Sequence, residues 1–256
     1  MLARRRSSRC IFRRARRSAS PPFTAATLRH FFSLRGRLAR RWLARRGATL
    51  LHVADARGRE DLELIRETHA LVPLLMQDAS ALQLLACVRA CAGRGAAMAE
   101  AGVFAGGTAR LICSAKGDAP LHLFDVFESL HSTSAEPATP RGDELRHHFG
   151  AFHATRGGVE RLLAPYDDVH VHEGIFPETT VGLEADRFSF VHLDLDLEPS
   201  TRDALEFFHP RLVPGGVLLG DDHQTPPVRR AFDAYFRGRP DARIELPWGQ
   251  VMVIKA

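Results

Sequence analysis

The chain has 256 residues, 45% of them hydrophobic and 25% charged, which excludes a disordered or fibrous polymer and leaves room for one sizeable core. Its formal charge of +5 hides an asymmetry: residues 1–54 carry 15 arginines and no acid, so the rest of the chain sets 20 basic against 30 acidic residues, a net of −10. No apolar run reaches the roughly 18 residues of a membrane-spanning helix, and four cysteines without a regular framework suit a reducing, cytoplasmic setting.

Residues 1–54 therefore read as a basic extension, and residues 55–256 as an acidic folded domain. The extension divides at Pro21-Pro22. Met1 to Ser20 is arginine-rich and is expected to be disordered, whereas Thr27 to Arg46 has helical spacing with Phe31, Leu34, Leu38 and Trp42 on one side. Three readings stand for this arm: a solvated extension or an upstream start codon, an organelle transit peptide, and a helix for a membrane surface or anionic partner. No nucleic-acid-binding module is recognisable, so nucleic acid is not expected as a partner.

Glu60 to Ala92 has a helical apolar stripe that Pro73 divides in two. Cys87 and Cys91 share one face of it and, with Cys113, are expected in the core rather than on a metal. Met98 to Ala101 then predicts a short strand. It runs through Gly102 and Gly106-Gly107 into a helix over Ala109 to Ala115, where the backbone can approach a ligand without a Cβ in the way. The spacing is not the G-x-G-x-x-G of dinucleotide sites. Leu121 to Asp125 is the next strand, and its terminal acid falls where nucleoside-binding α/β domains hold ribose hydroxyls. Ser132 to Gly142 is a loop, Glu144 to Leu163 is helical with an interruption near Gly157-Gly158, and Val169 to Glu173 alternates as a third strand. His170 and His172 are expected to be strand residues facing solvent or a helix.

Two further apolar runs each end in paired acids: Phe190 to Leu195 before and around Asp194 and Asp196, and Val217 to Leu219 before Asp221 and Asp222. Asp203 to Phe208 has helical spacing between them, and Pro214-Gly-Gly breaks it, so strand, helix and strand form a parallel unit. Neighbouring strands lie about 4.8 Å apart. Four carboxylates would then crowd the sheet edge where open α/β sheets bind ligands, which points to a divalent cation on oxygen ligands. Pro227 to Phe236 predicts a helix, and Ala242 to Leu246 with Gln250 to Ile254 a terminal hairpin through Pro247-Trp-Gly249.

Five motifs in order, spanning roughly Ala97 to Ala256, resemble the macrocin O-methyltransferase-like family of class I S-adenosylmethionine-dependent methyltransferases. They are Glu100-Ala-Gly-Val-Phe-Ala-Gly-Gly-Thr108, Phe124-Asp-Val-Phe-Glu128, Gly174-Ile-Phe-Pro-Glu-Thr179, Asp194-Leu-Asp-Leu-Glu198, and His209 to Gly216 continuing to Asp221-Asp222. Ser129, Glu198, His209 and His223 depart from the family pattern. The resemblance implies an α/β fold: a Rossmann-like, mostly parallel seven-stranded sheet with helices on both faces and a C-terminal antiparallel hairpin. It implies that Glu100, Gly102, Thr108 and Asp125 bind S-adenosylmethionine. Asp194, Asp221 and Asp222 would hold Mg²⁺ or a similar cation, and Asp196 would be the general base, with His223 and His192 as alternatives. The acceptor would be a small-molecule hydroxyl of sugar or phenol type, and a homodimer is an option. Two other classes stand beside this one: a nicotinamide-dependent oxidoreductase on a similar sheet, and a non-catalytic binding protein that keeps the fold.

Overall fold

A computed structural model describes residues 55–127 and 154–256, with residues 38, 42, 43, 45 and 53. The chain divides into two compact units, Met1–Ala56 and Arg57–Ala256. Most of the arm and the Ser132–Gly142 loop lie outside the described residues, as do residues 144–153 of the expected helix.

Helix α1 (Ala56–Leu71) and helix α2 (Asp78–Cys91) flank Pro73, as the stripe predicts. The half-buried guanidinium of Arg89 on α2 makes a two-pronged pair with buried Asp61 on α1. There follow β1 (Ala97–Ala101), α3 (Gly107–Ala115), β2 (Leu121–Asp125), α4 (Arg156–Leu163) and β3 (Val169–Glu173). The second half is β4 (Phe188–Leu193), α5 (Glu198–Arg211), β5 (Leu212–Gly220), α6 (Pro226–Tyr235), β6 (Ala242–Glu245) and β7 (Val251–Ile254).

The seven strands form one sheet in the order β3-β2-β1-β4-β5-β7-β6. The first five are parallel, and β7 joins β5 and β6 antiparallel. The expected α/β, Rossmann-like sheet with its terminal hairpin is what the chain forms. All six residues of β4 are buried, because helices cover both faces of the parallel strands. Met98, Leu121, Leu123 and Phe190 pack on one side with Leu84, Leu111 and Val159; Ala99, Phe124, Val191 and Leu218 pack on the other with Leu205, Phe208 and Phe232. Cys87, Cys91 and Cys113 are buried free thiols, as expected. Burial pushes the Cys113 thiol up to about 12.

Three boundaries differ from the sequence reading, each for a local reason. Gly157 and Gly158 do not interrupt a helix; they lie in the first turn of α4, where the Thr155 hydroxyl accepts from the Gly158 amide at 3.0 Å. Helix α5 begins five residues earlier than Asp203, with Pro199 in its first turn, where a missing amide costs nothing. Pro214-Gly-Gly does not precede β5 but bulges out within it: Leu212 pairs with Phe188 and Val217 with Phe190, so the extra residues leave the ladder.

On the outer part of the sheet, β2 and β3 bring His122 beside His170 and His172. His122 Nδ1 and His172 Nε2 share a hydrogen bond of 3.0 Å, and the His172 ring stacks on Phe124. Asp168 bonds exposed His170 at 2.8 Å, and Asp186 lies 3.8 Å from His122. Burial first, then the imidazoles of His172 and His170, pushes the His122 pKa down from 6.5 to about 4. The folded chain keeps this ring neutral at pH values where the unfolded chain protonates it. Its contribution to stability therefore declines as pH falls from about 6.5 to about 4. Urea unfolding at pH 7 and pH 5 is expected to show the wild type losing stability toward acid, and His122→Gln losing less.

Candidate active site

Strands β1 and β4 are adjacent, and the chain leaves them in opposite directions along the sheet, so a crevice opens at their C-terminal ends. Hydrogen bonds continue the ladder one residue beyond each strand: Gly102 N to Phe124 O at 2.9 Å, Asp194 N to Ala101 O at 2.9 Å, and Asp221 N to Leu193 O at 2.8 Å. The first residue after each strand is thereby fixed as firmly as the strand itself. A cavity of about 370 Å³ lies over these ends, within the size range of small-molecule sites.

One end of the cavity is the glycine turn. Gly102 has φ +91°, and a Cβ there would lie 1.9 Å from the backbone oxygen of Asp194. Glycine is therefore required by conformation and by contact. The Asp125 carboxylate spans the turn: Oδ2 accepts from Val103 N at 2.6 Å and Phe104 N at 2.7 Å, and Oδ1 from Phe127 N at 3.0 Å. Asp125 lines the cavity, but its first task is to hold the turn. Gly106, at φ +82°, caps α3, and Thr108 follows in the first turn facing the cavity. The connector from Pro73 to Gln77 closes this end from outside the sheet.

The other end is acidic. One carboxylate oxygen from each of Asp194, Asp196 and Asp222 lies within 4.8 Å of the others, a grouping fit for a metal ion. The trio includes Asp196 where the sequence reading had Asp221. Asp221 stands behind it, its Oδ1 accepting from Asp222 N at 3.2 Å. Asp196 and Asp222 have positive φ, 56° and 52°, a region that aspartate tolerates better than most side chains. Burial, reinforced by the charge of Asp221, holds the Asp194 pKa well above the usual carboxylate range. Burial, a hydrogen bond to Asp222 and the charges of Asp222 and Asp221 push Asp196 up to about 7. Burial likewise raises Asp221. The trio fits a hard divalent cation, which would relieve this repulsion through oxygen ligands.

Three candidates sit elsewhere. Glu100 is completely buried and does not line the cavity; its Oε1 bonds His192 Nδ1 at 2.9 Å, across the β1–β4 register. His192 is equally buried behind the acids. His223 packs edge-on against Phe232, outside the cavity lining. Neither histidine stands where an acceptor would meet it. The departures at Glu198 and His209 also have local partners: Arg230 for Glu198 at 2.7 Å, and Asp241 for His209 at 3.3 Å. Ser129 lies outside the described residues. The sequence reading missed Phe127, Gln224, Trp248 and the Pro73–Gln77 wall, all of which line the cavity.

The model of the macrocin-O-methyltransferase (TylF) family matches residues 81–251. The chain belongs to this family. Its sequence is 34% identical over 152 residues to 8-demethyl-8-(2,3-dimethoxy-alpha-L-rhamnosyl)-tetracenomycin-C 4'-O-methyltransferase of Streptomyces olivaceus; the match spans 56% of this chain and 58% of that relative. The fold resembles that of the O-methyltransferase NovP, with TM-score 0.59 and 22% identity over 72% of this chain and 82% of that one. It also resembles CalS11, a TDP-rhamnose 3'-O-methyltransferase of calicheamicin biosynthesis, with TM-score 0.50 and 17% identity over 79% and 96% of the two chains. Membership of this family does not favour the nicotinamide-dependent alternative.

Two substitutions test the turn, and a third, remote from it, serves as the comparison. Gly102→Ala forces a side chain into the Asp194 backbone and is expected to abolish cavity ligand binding and lower the melting temperature sharply. Gly117→Ala, at φ +64° in open space, is expected to cost only about 1–2 kcal/mol of conformational strain in a denaturant titration. Asp125→Asn keeps the shape but halves the acceptor oxygens, and should loosen the turn, seen as faster amide exchange at Val103 and Phe104.

Proposed function

We propose that this family member is a metal-dependent O-methyltransferase that moves a methyl group from S-adenosylmethionine to a hydroxyl of a small molecule, of the deoxysugar type. The observation that carries this reading is one cavity with a glycine turn pinned by Asp125 at one end and three converging carboxylates at the other. The rhamnosyl acceptor named for the tetracenomycin relative supports the sugar class.

When bound, S-adenosylmethionine supplies an already activated methyl group, and a divalent cation supplies Lewis-acid polarisation of the acceptor hydroxyl. In this reading the backbone of Gly102 to Phe104, Thr108 and Asp125 hold the donor. Asp194 and Asp222 hold the cation. Asp196 takes the hydroxyl proton as the acceptor oxygen takes the methyl group from sulfur. Asp196 suits that task because its carboxylate lies beside those of Asp194 and Asp222 and lines the cavity. Glu100 acts from beneath: with His192 it fixes the floor on which the turn and Asp194 rest. Orienting the acceptor oxygen toward the donor accounts for a large share of the expected rate, because positioning alone can contribute roughly 7–11 kcal/mol.

Calorimetry with S-adenosylhomocysteine is expected to show binding by the wild type and by Asp196→Asn and Asp222→Ala. Transfer to a sugar hydroxyl should fall about 10²–10⁴-fold in Asp196→Asn. Chelation should abolish transfer in the wild type, and Mg²⁺ should restore it. No heat of donor binding in the wild type would sink the methyltransferase reading; transfer indifferent to chelation would remove the metal from it.

A further inference from the structure

Trp248 is one of two tryptophans in the chain, and it lines the cavity from the turn between β6 and β7. That turn is tied to the acids. It is closed by Leu246 N to Gln250 O at 2.8 Å and by Gly249 N to Leu246 O at 3.2 Å. Gly249, at φ +96°, lies against Gln224 so closely that a Cβ would sit 2.2 Å from the Gln224 Oε1 atom. Gln224 Nε2 in turn donates to Asp222 Oδ1 at 2.8 Å. The indole is therefore linked to the acid trio through one side chain and one backbone contact.

The orientation of the indole is also constrained. Its Nε1–H donates to Gln250 Oε1 at 3.1 Å, and Gln250 is 1% exposed. The polar edge of the ring is thus spent inward on a buried amide. What half-buried Trp248 can offer a cavity ligand is carbon surface. Leu195, between two of the acids, adds to the apolar lining. The acid end therefore combines a carboxylate wall that takes hydroxyls with an apolar wall that cannot hydrogen-bond.

We propose that Trp248 is a specificity-determining residue: its indole is the platform for the apolar face of a deoxysugar acceptor while the carboxylates engage the sugar's hydroxyls. This rests on the O-methyltransferase reading and narrows its substrate class. A ring with hydroxyls on one edge and a methyl-bearing, carbon-rich face satisfies both walls. A fully hydroxylated hexose leaves a hydroxyl desolvated against carbon, which is unfavourable. An aromatic contact of this kind discriminates by removing water from matched apolar surface.

The experiment uses the full chain with Mg²⁺, S-adenosylmethionine and three acceptor probes: p-nitrophenyl α-L-rhamnopyranoside, its 6-hydroxy counterpart p-nitrophenyl α-L-mannopyranoside, and 3,4-dihydroxybenzoate. The rhamnoside is expected to be the best of the three for the wild type. Trp248→Ala should raise its KM by about tenfold or more with a smaller change in kcat, whereas Trp248→Phe, which keeps a ring but no N–H, should stay within about threefold. Affinity for S-adenosylhomocysteine should stay within twofold in both. The rhamnoside should also quench tryptophan emission in the wild type and not in Trp248→Phe. An unchanged KM in Trp248→Ala overturns the platform, and so does an equal loss in the alanine and phenylalanine variants, which would assign the effect to the N–H. Preference for the mannoside or the catechol overturns the deoxysugar face. If the alanine variant loses donor binding through misfolding, the quenching comparison decides: equal quenching in wild type and Trp248→Phe overturns the proposal. A wild type that binds S-adenosylhomocysteine but methylates none of the probes fails at the acceptor reading itself. A wild type that does not bind it fails one level earlier, at the methyltransferase reading.

Discussion

The site depends on one close approach. At the switch point between β1 and β4, the backbone of Gly102 passes so near the Asp194 carbonyl that no Cβ fits between them. The sheet's hydrogen bonds run on through Gly102, Asp194 and Asp221, so these three positions have the rigidity of strands although each begins a loop. The glycine turn starts from Gly102. The loops that carry the acids start from Asp194 and Asp221. The distance between the glycine turn and the acids is thus set by strand spacing rather than by loop conformation, which suits the alignment that the proposed methyl transfer needs.

A second constraint is charge. Carboxylates converge at the end of the sheet, partly buried, and burial acts against their ionised forms. Such a cluster is costly in an empty fold and favourable around a cation. The buried pair of Glu100 and His192 lies on the adjoining strands, two residues behind Gly102 and Asp194. Two polar groups at 0% exposure persist there because each satisfies the other, although Glu100 Oε2 and His192 Nε2 have no partner of their own. The floor of the site is thus polar where hydrocarbon would pack more easily.

Much of this was legible in the sequence. The apolar runs before Asp194 and Asp221 marked buried strands, and the glycines after Ala101 marked a turn where the backbone can approach a ligand closely. Other features had no local signal. Glu100 reads as a ligand because it precedes a glycine turn, yet the parallel register sets it opposite His192 and inside the sheet. The clue was available in retrospect, since Glu100 lies two residues before Gly102 as His192 lies two before Asp194. Asp125 reads as a ribose ligand, but that its carboxylate first satisfies three amides depends on how the turn folds back. Pro73 to Gln77 reads as a helix break, and Trp248 as a hairpin turn. Both became cavity walls only through tertiary packing, which neither periodicity nor spacing encodes. Pro214-Gly-Gly misled for the same reason: a bulge and a strand boundary use the same residues.

The Pro73–Gln77 wall lies outside the span matched by the family model, which begins at residue 81. It joins α1 to α2, which the Asp61–Arg89 pair ties together, and its Leu74 and Met76 side chains are buried in the core on one face of the sheet. It meets the glycine turn at Gly107, where an added Cβ would lie 3.0 Å from the Pro73 backbone oxygen. Part of the cavity wall is thus built from outside the family's matched span. A change in the length or side chains of this segment would therefore be felt in the core as well as in the cavity.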